Sequence, residues 1–177
     1  ALIHPTTTTY FAGFAGLLPA PWTFPGRQRQ PPTDPVNALL SYGYGVLFQN
    51  LLTLLAERGL DPYIGSLHAV GDGHPALVSD LIEEFRALTV DAVVLRLLTQ
   101  SDVAPGDFSS DDDGACRLGR PLSKTYLAAL EAKLQSPVAH RLAGDGGDYR
   151  RAMRAQVAHW IQVLEGSAPR YRPFMPR

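Results

Sequence analysis

His68 and the run Ser79-Asp80-Leu81-Ile82-Glu83-Glu84-Phe85-Arg86 hold the residue types that could do chemistry in this chain. Asp80 precedes Glu83 by three positions and Glu84 by four, which stacks carboxylates over one turn of a helix. Leu81, Ile82 and Phe85 surround them with apolar surface, and a charged, unpaired carboxylate beside such a stripe costs several kcal/mol. Either Arg86 pairs with it or a cation does. Two arrangements satisfy that demand. In one, Glu83 and Arg86 form an ordinary i,i+3 pair and His68 closes a turn through hydrogen bonds. In the other, a cation neutralises the acids.

These residues need long elements to place them, and the spacing predicts an all-α fold: a single helical domain spanning residues 1–177, built around two long buried helices. Six prolines between Pro19 and Pro35 exclude regular structure there and read as an extended surface connection. Asp34 is then placed to cap a helix over 35–58, with Pro35 at its first position and Gly59 just past its end. Val36, Leu39, Leu40, Leu47, Leu51, Leu54 and Leu55 recur along it at helical spacing, and Gly43 and Gly45 read as contacts where another helix comes close. The second long helix is expected from Ala76 to Thr99, with Leu77, Leu81, Phe85, Leu88, Val93, Leu95 and Leu98 facing inward. Residues 101–119 read as a loop or short hairpin. Its consecutive Asp111, Asp112 and Asp113 suit a solvated turn better than a calcium loop, whose ligands alternate. Two amphipathic helices over 121–136 and 147–165 precede an arginine-rich tail.

The net charge of −1 conceals an asymmetry: +2 before Asp34, −7 in the middle and +4 from Arg141 onward. An acidic centre between basic ends suits a metal-using site flanked by phosphate-binding surface, and equally a solvated acidic face. Arg27, Arg29, Arg150, Arg151, Arg154 and Arg172 are the candidate phosphate contacts. Trp22 and Trp160 read as packing anchors, and His74, His140 and His159 as surface or interface residues. A lone Cys116 builds neither a disulfide framework nor a cysteine-based zinc site, which points to a reducing cytoplasm. No continuous apolar run of about 18 residues suggests a membrane span.

Several segments together resemble the Cas-one family, the CRISPR-associated integrases that acquire new spacers. Asp34 through Gly45 is similar to the family's long helix, and Gly59-Leu60-Asp61-Pro62-Tyr63-Ile64-Gly65-Ser66-Leu67-His68 to the turn bearing its histidine. Asp80 through Arg86 matches its acidic helix, and Leu122 through Leu127 and Tyr171-Arg172-Pro173-Phe174 follow in order. The resemblance implies a metal-dependent DNA endonuclease and integrase that joins prespacer 3′-hydroxyl ends to the CRISPR repeat. It assigns His68 and Glu83 as ligands of magnesium or manganese and Asp80 as a neighbouring supporting carboxylate. Two carboxylates and an imidazole suit phosphoryl transfer, in which a cation neutralises developing charge.

Two features depart from the family pattern. Its first ligand, a glutamate shortly before a Tyr-Phe pair, has no counterpart before Tyr10-Phe11, where Ile3 and His4 stand instead. Pro5 and Thr6 to Thr9 argue against a helix start there, and His4 reads as a terminal surface residue more readily than as an imidazole ligand in the glutamate's place. Nothing in the chain resembles the family's amino-terminal β-rich domain, so it is either a miniature helical form or a portion of a longer protein. The alternative function is a catalytically silent homologue acting as a DNA-binding or assembly subunit. The resemblance also implies self-association and a small Cas-two partner.

Overall fold

A computed structural model describes residues 5–28, 30–66, 73–100, 102–140 and 144–176, excepting the side chains of 5–7, 140 and 144–146. His4, Arg29, His68 and Arg177 lie outside the described residues. The chain divides into two compact units, Ala1–Gly43 with Val90–Ala129 and Tyr44–Thr89 with Leu130–Arg177.

Helix α1 spans Pro5–Ala15. The expectation that Pro5 and the threonines would prevent a helix there is therefore corrected. Proline is well placed at a helix's first position, where its missing N–H has no intrahelical partner. Further on, Phe11 and Phe14 are 4% and 5% exposed and pack with Phe24, so burial outweighs the low propensity of a threonine run.

Helix α2, Pro35–Glu57, matches the expected long helix. Asp34 Oδ1 accepts the Asn37 N–H at 2.9 Å, the anticipated cap. Asn37, fully buried, adds hydrogen bonds to Asp34 Oδ2 and the Gly26 carbonyl, and its Oδ1 accepts from the Gln28 N–H and Arg27. At the far end Gly59 has φ +69°, and the Leu60 N–H donates to the Leu55 carbonyl. Gly43 is the close contact expected. Gly45 is not: a Cβ built there meets no described atom within 4 Å. By length and mean hydropathy α2 could cross a membrane, but Val36, Leu39, Leu40, Leu47, Leu51 and Leu55 are all 0% exposed, as in a core helix.

The second long helix is interrupted. Helix α3 runs over Ala76–Phe85, a π-helical segment over Ala87–Asp91, and α4 over Ala92–Thr99. Within the wider turn, Thr89 Oγ1 donates to the Phe85 carbonyl at 2.8 Å. One extra residue per turn shifts the helical phase, so burial passes from Leu77, Leu81 and Phe85 to Val90, Val94 and Leu97. Leu88 and Leu95, inward in an unbroken helix, are only half-buried.

The fold is mainly helical rather than all-α, because two small antiparallel hairpins interrupt it. Strands β1 (Phe108–Ser110) and β2 (Cys116–Leu118) form the hairpin anticipated near 101–119. Asp111 takes the Ala115 N–H and pairs with Arg117 at 2.7 Å, so the aspartate run is a turn. The second hairpin, β3 (Pro137–His140) with β4 (Gly144–Asp148), was unexpected. A glycine-rich strand carries no apolar alternation by which to recognise it. Helices α5 (Arg120–Leu134) and α6 (Tyr149–Leu164) stand within two residues of the expected spans, and Asp148 caps α6 through the Arg151 N–H.

Candidate functional site around helix α3

The turn over 61–66 is seated on the first half of α3. Asp61 Oδ1 accepts the Tyr63 N–H at 2.9 Å, folding the turn on itself, and the Leu77 N–H donates to the Pro62 carbonyl at 3.0 Å. Asp80, 7% exposed, accepts the Ser66 N–H through Oδ2 at 2.5 Å. A Cβ on Gly65 would come within 2.8 Å of both Ala76 and that same oxygen, so this close seat admits glycine alone. His68, assigned as a ligand by resemblance, follows Ser66 by two positions and falls outside the described residues.

The three acids of α3 have different surroundings. Asp80 is buried and hydrogen-bonded to backbone. Glu83 faces solvent and pairs with Arg86 at 2.8 Å, with side-chain exposures of 37% and 16%, and the Arg86 guanidinium lies over the Tyr44 ring at 5.9 Å. The structure thus contains the ordinary i,i+3 pair that the spacing allowed. Glu84 turns toward the carboxy-terminal tail: it accepts from the Tyr171 hydroxyl at 2.6 Å, the Phe174 N–H at 2.7 Å and Gln156 Nε2 at 2.7 Å. Among the described residues no group of three or more His, Cys, Asp or Glu side chains converges as a metal site.

Sequence reasoning missed the role of Glu84, although both ends of the contact were visible. It lies beside Phe85 on the apolar stripe, and Tyr171-Arg172-Pro173-Phe174 stood out as a motif. Phe174, 4% exposed, stacks on Phe85 with ring centroids 4.8 Å apart. Tyr171 stacks on His159 and meets Trp160 edge-on. Trp160 is therefore a packing residue, as is Trp22 against Phe108. His159 is not the surface or interface residue expected but is buried within the chain: it is 6% exposed and its Nε2 accepts the Arg172 N–H at 3.1 Å. His74 Nε2 meets Ser79 Oγ at 2.8 Å. Burial, with Glu84 close by, pushes the Tyr171 phenol above its ordinary range.

The arginines divide as well. Arg27 bonds to Asn37 Oδ1 and Ser41 Oγ, and so braces the start of α2. Arg150 donates to Asn50 Oδ1 at 2.8 Å and makes a two-pronged contact with Glu131, whose carboxyl it holds below the usual range. Arg151, Arg154 and Arg172 have exposed side chains.

Arg150→Ala is accordingly expected to lower the melting temperature by about 2–4 °C, because the clasp is partly exposed and worth roughly 1 kcal/mol. The Glu131 contribution is present above the ordinary carboxylate pKa and is lost as pH falls through the lowered folded value. The gap between parent and variant should therefore narrow in acid melts. DNA affinity should hardly move, and a large loss of affinity without a stability change would show that Arg150 works as a phosphate contact instead.

Comparison with known proteins places this architecture. Residues 5–132 match the family model described as CRISPR associated protein Cas1. A CRISPR-associated endonuclease Cas1 of Thermus thermophilus is 42% identical over 168 residues, covering 95% of this chain and 50% of its own length. The chain thus spans about half the length of that relative. Among solved structures, a casposase bound to integration product aligns with TM-score 0.84 over 92% of this chain and 48% of that one. At 23% identity, it shows the fold alone. The structure described as a partial Cas6-RT-Cas1–Cas2 complex aligns with TM-score 0.76 at 26% identity, covering 89% of this chain and 47% of that one. On the strength of the family match and the Thermus relative, this chain belongs to the Cas1 family.

Proposed function

We propose that residues 1–177 form a single helical integrase domain that joins prespacer 3′-hydroxyl ends to a CRISPR repeat in a divalent-metal-dependent reaction. The observation that carries this reading is the division of labour on α3, where Glu83 alone among the three acids turns its carboxylate to solvent. The donor set fits magnesium or manganese in type, with a carboxylate from Glu83, an imidazole from His68 and a supporting carboxylate from Asp80. The Asp80–Ser66 hydrogen bond supports the same grouping, since it ties the segment entering residue 67 to the helix that carries Glu83.

In this mechanism His68 and Glu83 would hold the cation, which when bound would neutralise charge developing on the phosphodiester under attack. Asp80 keeps the turn over 61–66 seated, and the glycine at 65 lets that turn lie close. Arg86 balances Glu83 when the cation is away. The Glu83 side of this pair is open to solvent, so a divalent cation can compete with Arg86 for the carboxylate. Exposed Arg151, Arg154 and Arg172 hold phosphates, joined in this reading by Arg29, while Arg27 and Arg150 brace the scaffold. The Thermus relative, described as a CRISPR-associated endonuclease, supports a nucleic-acid substrate, and the Cas6-RT-Cas1–Cas2 complex supports a small Cas2 partner. A second copy of the chain would bridge the two DNA ends.

The test is strand transfer of a labelled duplex with free 3′-hydroxyls into a repeat-bearing plasmid, with manganese and with chelator. Joined product that vanishes with chelator is expected. A second reading, a silent DNA-binding or assembly subunit, draws on the Glu83–Arg86 pair and on Ile3-His4 in place of the family's glutamate. Salt-sensitive DNA binding with no joined product at any metal concentration would select it.

A further inference from the structure

The carboxy-terminal tail is tied to α3 at a single carboxylate. Glu84 Oε1 accepts the Tyr171 hydroxyl, and Oε2 accepts both the Phe174 N–H and Gln156 Nε2. The Gln156 amide, fully buried, also reaches the Tyr171 oxygen at 2.9 Å and the Arg172 carbonyl at 3.0 Å, so its two N–H groups serve three acceptors. With His159 taking the Arg172 N–H, the tail backbone is held on both sides of Arg172. Phe174 closes the contact by stacking on Phe85, the residue after Glu84.

This arrangement bears on the neighbouring acid. Adjacent helical residues point about 100° apart, so fixing the direction of Glu84 fixes that of Glu83. Asp80 pins the same helix one turn earlier through Ser66. Helix α3 is thereby held against rotation at two carboxylates, with Glu83 between them in sequence and outside both contacts.

We propose that Glu84 is a positioning residue: by latching the Tyr171–Phe174 strap onto α3, it sets the rotation that presents Glu83 to a divalent cation. The proposal rests on reading Glu83 as a ligand. It makes the tail a working part of the site, although the tail contributes no ligand. Supporting contacts of this kind commonly change metal affinity by roughly 10- to 100-fold when removed.

The experiment uses the intact chain and two variants, Tyr171→Phe, which keeps the ring and deletes the donor, and Glu84→Gln, which keeps the shape and deletes the charge. Mn2+ binding is followed by the loss of the free-ion EPR signal, and amide exchange is measured at Arg172 and Phe174. The parent should bind Mn2+, both variants should bind it roughly 10-fold more weakly, and exchange at the two amides should accelerate. Circular dichroism should show both variants folded. Variants that bind Mn2+ as the parent does, while tail exchange accelerates, would overturn the positioning role and leave the ligand reading standing. A parent that binds no Mn2+ would remove the ligand reading and the positioning role with it.

Discussion

Glu83→Ala should reduce metal-dependent strand joining by at least about 100-fold, which corresponds to roughly 2.7 kcal/mol of transition-state stabilisation. Folding should scarcely register the change. Glu83 is the exposed acid of α3, and Arg86, though only 16% exposed, keeps its contact with the Tyr44 ring, so the removal should alter stability by about 1 kcal/mol. The neighbouring acids behave differently. Asp80→Ala would leave the Ser66 N–H without its acceptor beside a buried helix face, and should lower the melting temperature as well as the rate. A separation of activity from stability at residue 83, with loss of both at residue 80, distinguishes a ligand from a support. Product formation by Glu83→Ala at the parent's rate would remove Glu83 from the site. Salt-dependent affinity for the duplex should survive the substitution, because the proposed phosphate contacts are arginines.

Local signals in the sequence were sufficient for the elements with strong ends and a regular stripe. Asp34-Pro35 opened α2 and Gly59 closed it where expected, and α5 and α6 fell close to their predicted spans. What could not be read locally depended on tertiary contact or on backbone insertions. The threonine-rich α1 forms because Phe11 and Phe14 are buried against Phe24, a neighbour ten or more residues along the chain. The π-helical segment is a one-residue change of phase that leaves composition unaltered, and it put Leu88 and Leu95 on the wrong side of the expected stripe.

The candidate site was legible in a different way. Asp80, Glu83 and Glu84 stood out by type and spacing, yet nothing in that spacing says which acid is buried, which is exposed and which reaches a tail nearly 90 residues later. Likewise Arg27 and Arg150 count as positive charge in sequence. Only their partners, Asn37 and Ser41 for one and Asn50 and Glu131 for the other, show that they brace the scaffold. Charge counting alone therefore does not say which arginines also hold the scaffold together.

The largest stability effect is expected at Gly43→Ala. A Cβ there would lie 2.0 Å from the Tyr126 hydroxyl and 2.6 Å from Val90 Cγ1, closer than packed atoms approach. Tyr126 is fully buried, and its hydroxyl has no hydrogen-bond partner among the described residues. Burial, with Asp91 and Tyr42 nearby, pushes the phenol above its ordinary range, so the hydroxyl stays protonated near neutral pH. Alanine returns up to about 1 kcal/mol of helix propensity, but overpacking typically costs about 1–3 kcal/mol and this collision belongs at the upper end. A net loss of about 2 kcal/mol would lower the melting temperature by roughly 4–8 °C. Tyr126→Phe separates the causes. Deleting a buried, unpartnered hydroxyl should leave stability unchanged or raise it by up to about 1 kcal/mol. In the double variant the closest contact disappears while Val90 and the ring carbon at 3.1 Å remain, so part of the loss should return. The two substitutions should thus be coupled by about 1 kcal/mol or more in thermal melts. Additive effects would mean that the hydroxyl is not what excludes a side chain at position 43, and a marked loss in Tyr126→Phe alone would mean that the buried hydroxyl is hydrogen-bonded after all.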